Sequence, residues 1–161
     1  MIRSIFLQVV LFASVFWILS WFKTIGMLET NQTLESDLKV TKLYSEQPLS
    51  LNASGKKKIL YFFAPWCQVC HLSIGNLQSQ FEKNDDIDVI AIALDYVDTN
   101  EVVEFVKDHN LTIDIGLGNE ATKNSFKISG YPSYYVLDED NTVIKRSIGY
   151  SSELGLYLGT L

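Results

Sequence analysis

Cysteine, histidine and methionine are scarce in this 161-residue chain, two of each, and proline occurs only three times. The two cysteines, Cys67 and Cys70, sit together, so no second pair of thiols exists to complete a tetrahedral zinc site. No cysteine lies near the amino terminus, which removes a lipid anchor. Positive charge is also in short supply: 13 Lys and Arg stand against 19 Asp and Glu, a formal net charge of -6. The only basic run is Lys56-Lys57-Lys58, which reads as a solvated turn before a strand. Nucleic acid demands clustered cations, so it is excluded as a partner. Internal repeats and low-complexity segments are absent. A hydrophobic content of 47%, with 12% aromatic, is too high for a disordered chain and suffices for one packed domain with an appendage.

What is abundant lies at the start. From Ser4 to Phe22 there is no charge, and IFLQVVLFASVFWILSWF is interrupted only by Gln8 and two serines. As a helix this run is long enough to span ~30 Å of hydrocarbon. Thr24-Ile25-Gly26 would suit a processing site, as in a signal peptide, but the length of the run and the bulky Trp17 and Trp21 favour a retained anchor. Arg3 and Lys23 flank it almost symmetrically, so charge alone does not orient it. The expected organisation is a transmembrane anchor over 1–23, a polar linker over 24–39, and a folded domain over 40–161.

Within that domain the apolar pattern alternates between two periods. A short strand is expected around Leu43 and Leu49 to Leu51; KILYFFA reads as a buried central strand and IDVIAIAL (87–94) as a second. Between them, Val69, Leu72, Leu77 and Phe81 recur at helical spacing over 67–83. Asp98 with Glu101 forms a capping box for a helix over 101–109, and 119–127 gives a further short helix. SYYVLD and TVIKRSI alternate around Glu139-Asp140-Asn141 as an antiparallel hairpin, and Ser151 is placed to cap a last helix over 153–158. Strands alternating with helices imply parallel pairing, to which the hairpin adds antiparallel strands: an α/β fold, a mixed sheet flanked by helices.

The stretch FFAPWCQVCH (62–71) carries the chemistry, and its last five letters spell two possibilities. C-x-x-C-H can attach haem covalently, with His71 as proximal ligand. The second axial ligand is then hard to find, because His109 falls in an amphipathic helix and Met1 and Met27 belong to the anchor and linker. A cysteine pair between a buried strand and a helix start suits a thiol–disulfide switch instead. At the helix start the free N–H groups and the dipole stabilise the Cys67 thiolate, and Cys70 comes within bonding reach one turn on. Cys67 is then the exposed nucleophile and Cys70 the resolving thiol.

FFAPWCQVC followed some sixty residues later by GYPSYYVLDEDNTV resembles the thioredoxin superfamily, and most its membrane-tethered extracytoplasmic branch of the TlpA and ResA kind. The match covers about 40–161. It implies a thioredoxin-like sheet, a redox-active disulfide, no cofactor and no metal. It also implies that Pro132 is a cis-proline lying against the cysteine pair, that the Tyr131 backbone is free to pair with an extended substrate segment, and that Trp66 forms a lid on the disulfide. The chain departs from the pattern in two places. Tyr61 stands where thioredoxins carry a buried Asp, and Ser73 where relatives of the ResA type place a Glu. The base for Cys70 is thereby left open, with Asp95 and His71 as candidates. The dipeptide Gln68-Val69 does not reveal the reduction potential.

The expected function is therefore a thiol–disulfide oxidoreductase held by its N-terminal helix in a bacterial inner membrane, its domain facing the periplasm or an equivalent extracytoplasmic space. Its partners are protein thiols and disulfides of the envelope and a transmembrane electron donor, with reduction slightly favoured. The alternative is a peptide-binding module of the same fold whose disulfide is merely structural. Asp138, Asp140 and Thr142 imitate the start of a calcium loop, but Gly149 stands where its bidentate Glu is needed. The triplets beginning at Asn31, Asn52 and Asn110 matter only in a eukaryotic secretory pathway.

Overall fold

The computed structural model describes residues 6–15, 24–35, 37–45 and 47–160. Residues 6–15 are helical and exposed along their length. The remainder of the expected anchor, residues 1–5 and 16–23, lies outside the described residues. Among the described residues no helix is long and apolar enough to cross a membrane.

The chain then runs β1 (Lys39–Lys42), β2 (Pro48–Ser50), β3 (Lys57–Phe63), α1 (Gln68–Lys83), β4 (Ile87–Ala93), α2 (Thr99–Asp108), β5 (Asp114–Leu117), α3 (Glu120–Ser125), β6 (Ser133–Leu137), β7 (Val143–Ile148) and α4 (Glu153–Thr160). The strands form one sheet in the order β2-β1-β5-β4-β3-β6-β7. Pairing is parallel for β3 with β4 and for β4 with β5, and antiparallel elsewhere. This is the thioredoxin-like mixed sheet, with helices on its flanks.

The continuous apolar runs of β3 and β4 are explained by burial on both faces. Ile59, Tyr61 and Phe63 point to one core with Ile74 and Leu77 of α1, Val102 and Phe105 of α2, and Leu156 of α4. Leu60 and Phe62 point to the other, with Phe126 after α3, Tyr135 of β6, and Met27, Leu28 and Leu34. Those last three belong to the segment read from sequence as a polar linker. Residues 24–35 lie along the hairpin: the Asn31 and Leu34 N–H groups donate to the carbonyls of Val143 and Asn141, and Arg146 donates to those of Met27 and Leu28. Its few apolar side chains lack any period because they insert singly into a core made by other elements.

Local signals account for most boundaries. Asp98 accepts from the Asn100 N–H and starts α2, while Glu101 reaches back to the Val97 N–H rather than to Asp98 itself. Asn119 and Thr122 make a reciprocal cap on α3. Ser152, not Ser151, caps α4 through the Gly155 N–H. Asp138 Oδ1 accepts from the Asp140 and Thr142 N–H groups, which makes the β6–β7 connection a hairpin turn.

Strand β5 was not expected. It has four residues, and Gly116 is required because a Cβ there would strike the Val40 side chain of β1. The basic run also differs from expectation, since Lys57 and Lys58 open β3 rather than a solvated turn. Lys58 is buried and donates to the Asn52 carbonyl at 2.6 Å, while Lys57 and Lys56 donate to the carbonyls of Thr160 and Asp85. Burial pulls the Lys58 ammonium below its ordinary pKa, against the opposing field of Asp88 and Asp114.

Candidate redox-active site

The site forms where β3 stops. Its apolar run ends at Phe63, and Ala64-Pro65-Trp66 carries the chain to α1, with the Cys67 N–H donating to the Ala64 carbonyl at 3.0 Å. Cys67 occupies the N-cap of α1 and is joined to Cys70 by a disulfide with a Cα–Cα distance of 5.2 Å. The Cys70 N–H points at Cys67 Sγ, 3.2 Å away. No acidic residue occupies the first turn of α1, so nothing there opposes the positive end of the helix dipole. Cys67 retains 6% of its surface in contact with solvent and Cys70 none. Only the first cysteine reaches solvent, and it stands at the helix N-terminus, whose dipole favours a thiolate.

Trp66 and Tyr131 come together beside this pair, their rings edge to face with centroids 5.8 Å apart. Asp95, at the end of β4, holds both. Its carbonyl accepts from Trp66 Nε1 at 2.9 Å, and its Oδ2 accepts from the Tyr131 hydroxyl at 3.0 Å and from Lys123 Nζ at 2.7 Å. The residue sits at φ 50°, a left-handed conformation that Asp tolerates better than most side chains. Burial alone would raise the Asp95 carboxyl, but the bonds from Lys123 and Tyr131, with the Lys123 charge, outweigh it and hold the pKa below the ordinary value. Tyr131 is pushed well above the ordinary phenol range by burial and by its bond to the ionised Asp95.

Pro132 is buried and follows a cis peptide bond, and its carbonyl accepts from the Gly149 N–H at 2.7 Å. Tyr131 packs against the core cluster that contains both cysteines. Among the described residues, no hydrogen bond is made by the Tyr131 backbone N–H or carbonyl. An incoming extended segment could use them.

The two candidate bases for Cys70 are engaged elsewhere. Asp95 is taken by Lys123 and Tyr131. His71 Nε2 lies 2.8 Å from the Pro65 carbonyl, so it carries the proton, and His71 Nδ1 faces His109 Nε2 at 2.8 Å. Burial, then the neighbouring His71, lowers the His109 pKa. The two histidines, 38 residues apart in sequence, are packed with Phe105 at ring distances of 4.6 and 4.7 Å. His71, the proximal ligand in the haem reading, is turned toward His109 and Pro65. Among the described residues, no group of three or more potential ligands could hold a metal ion.

The departures at Tyr61 and Ser73 prove to be one feature. Both side chains are fully buried, and their hydroxyls meet at 2.5 Å. Burial pushes the Tyr61 hydroxyl far above the ordinary phenol range, partly offset by Ser73, so the pair stays neutral. No sequence motif announces this contact, nor that of Asp95 with Lys123. The partners come from different elements, and tertiary packing alone brings them within reach.

A family model described as Redoxin matches residues 32–156. Thioredoxin-like protein YneN of Bacillus subtilis (strain 168) is 28% identical over 130 residues, spanning 79% of this chain and 75% of that protein. Sporulation thiol-disulfide oxidoreductase A of the same strain is 24% identical over 137 residues, spanning 82% of this chain and 83% of that one. Among solved structures, that of StoA from Bacillus subtilis superposes with a TM-score of 0.69 at 22% identity, covering 77% of this chain and 96% of that chain. At such identity the superposition speaks for the fold.

Proposed function

The chain belongs to the Redoxin family and is a thiol–disulfide oxidoreductase of thioredoxin type, and from that premise we propose that it acts on protein disulfides outside the cytoplasm, tethered to a bacterial inner membrane. The observation that carries this reading is the asymmetry of the pair. Cys67 combines the helix N-cap, an N–H donor on its sulfur and the only solvent contact, whereas Cys70 is closed off behind it.

In the reduced protein the Cys67 thiolate attacks one sulfur of a substrate disulfide. The substrate S–S bond breaks, its distal sulfur leaves as a thiolate that takes up a proton, and a mixed disulfide to Cys67 remains. Cys70, deprotonated, then attacks Cys67 Sγ. The mixed disulfide breaks, the second substrate thiol is released and protonated, and the Cys67–Cys70 disulfide forms. Two electrons have passed to the substrate, and a dithiol donor must return them. Reduction is the direction that the resemblance favours, and the same steps in reverse oxidise a dithiol. Support for the tether comes from the uncharged run Ser4–Phe22. Trp66, Tyr131 and Pro132 form the proposed substrate contact, supported by the unpaired Tyr131 backbone.

The deciding experiment follows turnover of insulin disulfides by the wild type, Cys67→Ser and Cys70→Ala. Cys67→Ser is expected to lose essentially all activity, while Cys70→Ala should accumulate mixed disulfides with substrate proteins. If Cys70→Ala traps nothing and the wild type does not turn over, the disulfide is structural and the binding-module alternative stands. Equilibration with a glutathione series gives the direction, with about -270 mV expected of a reductant and about -120 mV of a strong oxidant. Carbonate extraction of membranes tests the tether, and a protein released into the soluble fraction would refute it.

A further inference from the structure

We infer that the groove between Trp66 and helix α2 receives a cationic segment of the substrate protein, so that the enzyme prefers disulfides flanked by Lys or Arg. The inference rests on the oxidoreductase reading above and adds a substrate class to it. The groove has a volume of about 300 Å³ and lies between Pro65-Trp66 and helix α2.

Its floor is apolar and fixed in place. Phe105 is 2% exposed, stacks on Phe63 at 4.6 Å and packs against both histidines. Its rim is apolar and open, with Trp66 62% exposed and Val97 92%. Single exposed apolar side chains are ordinary. Two that share a groove beside a reactive disulfide form a surface suited to contact.

The wall is anionic. Glu101, Glu104 and Asp108 line the groove and recur three and four residues apart on α2, which places them in one stripe. Among the described residues none of the three has an ion-pair partner, and no Lys or Arg lines the groove. Burial and then His71 hold the His109 pKa below its ordinary value, with Asp108 opposing. Glu104 and Asp108, with the capping Glu101 a turn away on the same stripe and an apolar rim beside them, call for a ligand that carries positive charge on aliphatic stems. Lys and Arg fit, since their methylenes can lie on Trp66 and Val97 while the charged ends reach Glu104 and Asp108.

Trp66 thus takes part in two contacts. It meets Tyr131, where the extended segment around the substrate cysteine is proposed to pair. It also lines this groove, which would take residues a few positions further along the same substrate chain.

The test uses the full-length chain and three disulfide-bonded peptides that differ only in having Lys, Ser or Glu beside the cysteines. At about 20 mM ionic strength kcat/KM should fall in the order Lys, Ser, Glu over roughly 10- to 100-fold, shrinking below about threefold at about 0.5 M salt. The double variant E104Q/D108N should lose the Lys preference and keep the Ser-peptide rate within about twofold, whereas D85N/D86N, which removes the same charge away from the groove, should keep the preference. Equal rates for the three peptides in the wild type overturn the inference, as does a Lys preference that E104Q/D108N leaves intact. Failure to exchange with any peptide overturns the proposed function itself, and this inference with it.

Discussion

Phe62 and Phe63 are neighbours on the central strand, both fully buried, and each packs on a second phenylalanine: Phe62 meets Phe126 tilted at 4.8 Å, and Phe63 stacks on Phe105 at 4.6 Å. Because successive side chains of a strand alternate, they belong to opposite faces of the sheet. Phe63 leads through Phe105 to His71 and the groove beside Trp66, and its core contains both cysteines. Phe62 leads to Tyr135 and to the N-terminal segment at Met27 and Leu28. Each face also buries one tyrosine hydroxyl. Tyr135 donates to the Phe126 carbonyl at 2.7 Å and accepts from the Leu28 N–H at 3.1 Å, which ties three segments together. Tyr61 meets only Ser73, on the helix that begins at Cys67. Equal burial therefore serves two ends: one face fastens the chain, and the other supports the disulfide.

That division can be broken by matched substitutions. The largest effect is expected from Phe62→Ala and Phe63→Ala, each costing about 3–5 kcal/mol by urea unfolding. Turnover per folded molecule should be preserved in the first and fall several-fold in the second, because the support under Phe105 is lost. Equal turnover losses would show that the faces are not functionally distinct.

Tyr135→Phe should cost about 1–3 kcal/mol, since the Leu28 N–H and the Phe126 carbonyl both lose a buried partner. Tyr61→Phe should cost less, about 0.5–1.5 kcal/mol, because it strands only the Ser73 hydroxyl, which can turn back to a carbonyl of its own helix. Of the two, Tyr61→Phe alone is expected to change the reduction potential or the pH profile of exchange. A shift in both variants, or in neither, would detach the hydroxyl pair from the chemistry.

The smallest effect concerns pH. His109 has a folded pKa below the ordinary 6.5, from burial and then His71, with Asp108 opposing. The unfolded chain therefore binds the proton more tightly. The contribution to stability is present in full above the unfolded value and is lost as pH falls toward and through the folded one. Urea midpoints at pH 7.5 and 5.5 should show a loss at the acid end that His109→Gln reduces. An unchanged slope in that variant would place the dependence on other groups.

Much of this comparison was legible in the residues. The runs KILYFFA and IDVIAIAL read as strands buried on both faces, and the cysteine pair after the first of them reads as the opening of a helix. Strand β5 was not legible, because four residues containing Gly116 become a strand only by pairing with β4 and β1. The burial of Lys58 was hidden because its ammonium is satisfied by carbonyls of another loop. Asp95 and His71 were singled out as bases for Cys70, yet what each does depends on partners 28 and 38 residues away, Lys123 and His109.

The sequence by itself determined the mixed α/β fold class and the placing of the C-x-x-C pair between a buried strand and a helix start, because hydrophobic period and chain order are local properties. Only the tertiary structure decided that Tyr61 and Ser73 share one neutral bond, that Asp95 ties Lys123 and Tyr131 together beside Trp66, and that three carboxylates of α2 line a groove next to the disulfide. Those relations hold between side chains far apart in the chain, and only packing of the sheet against its helices sets the distances that make them interactions.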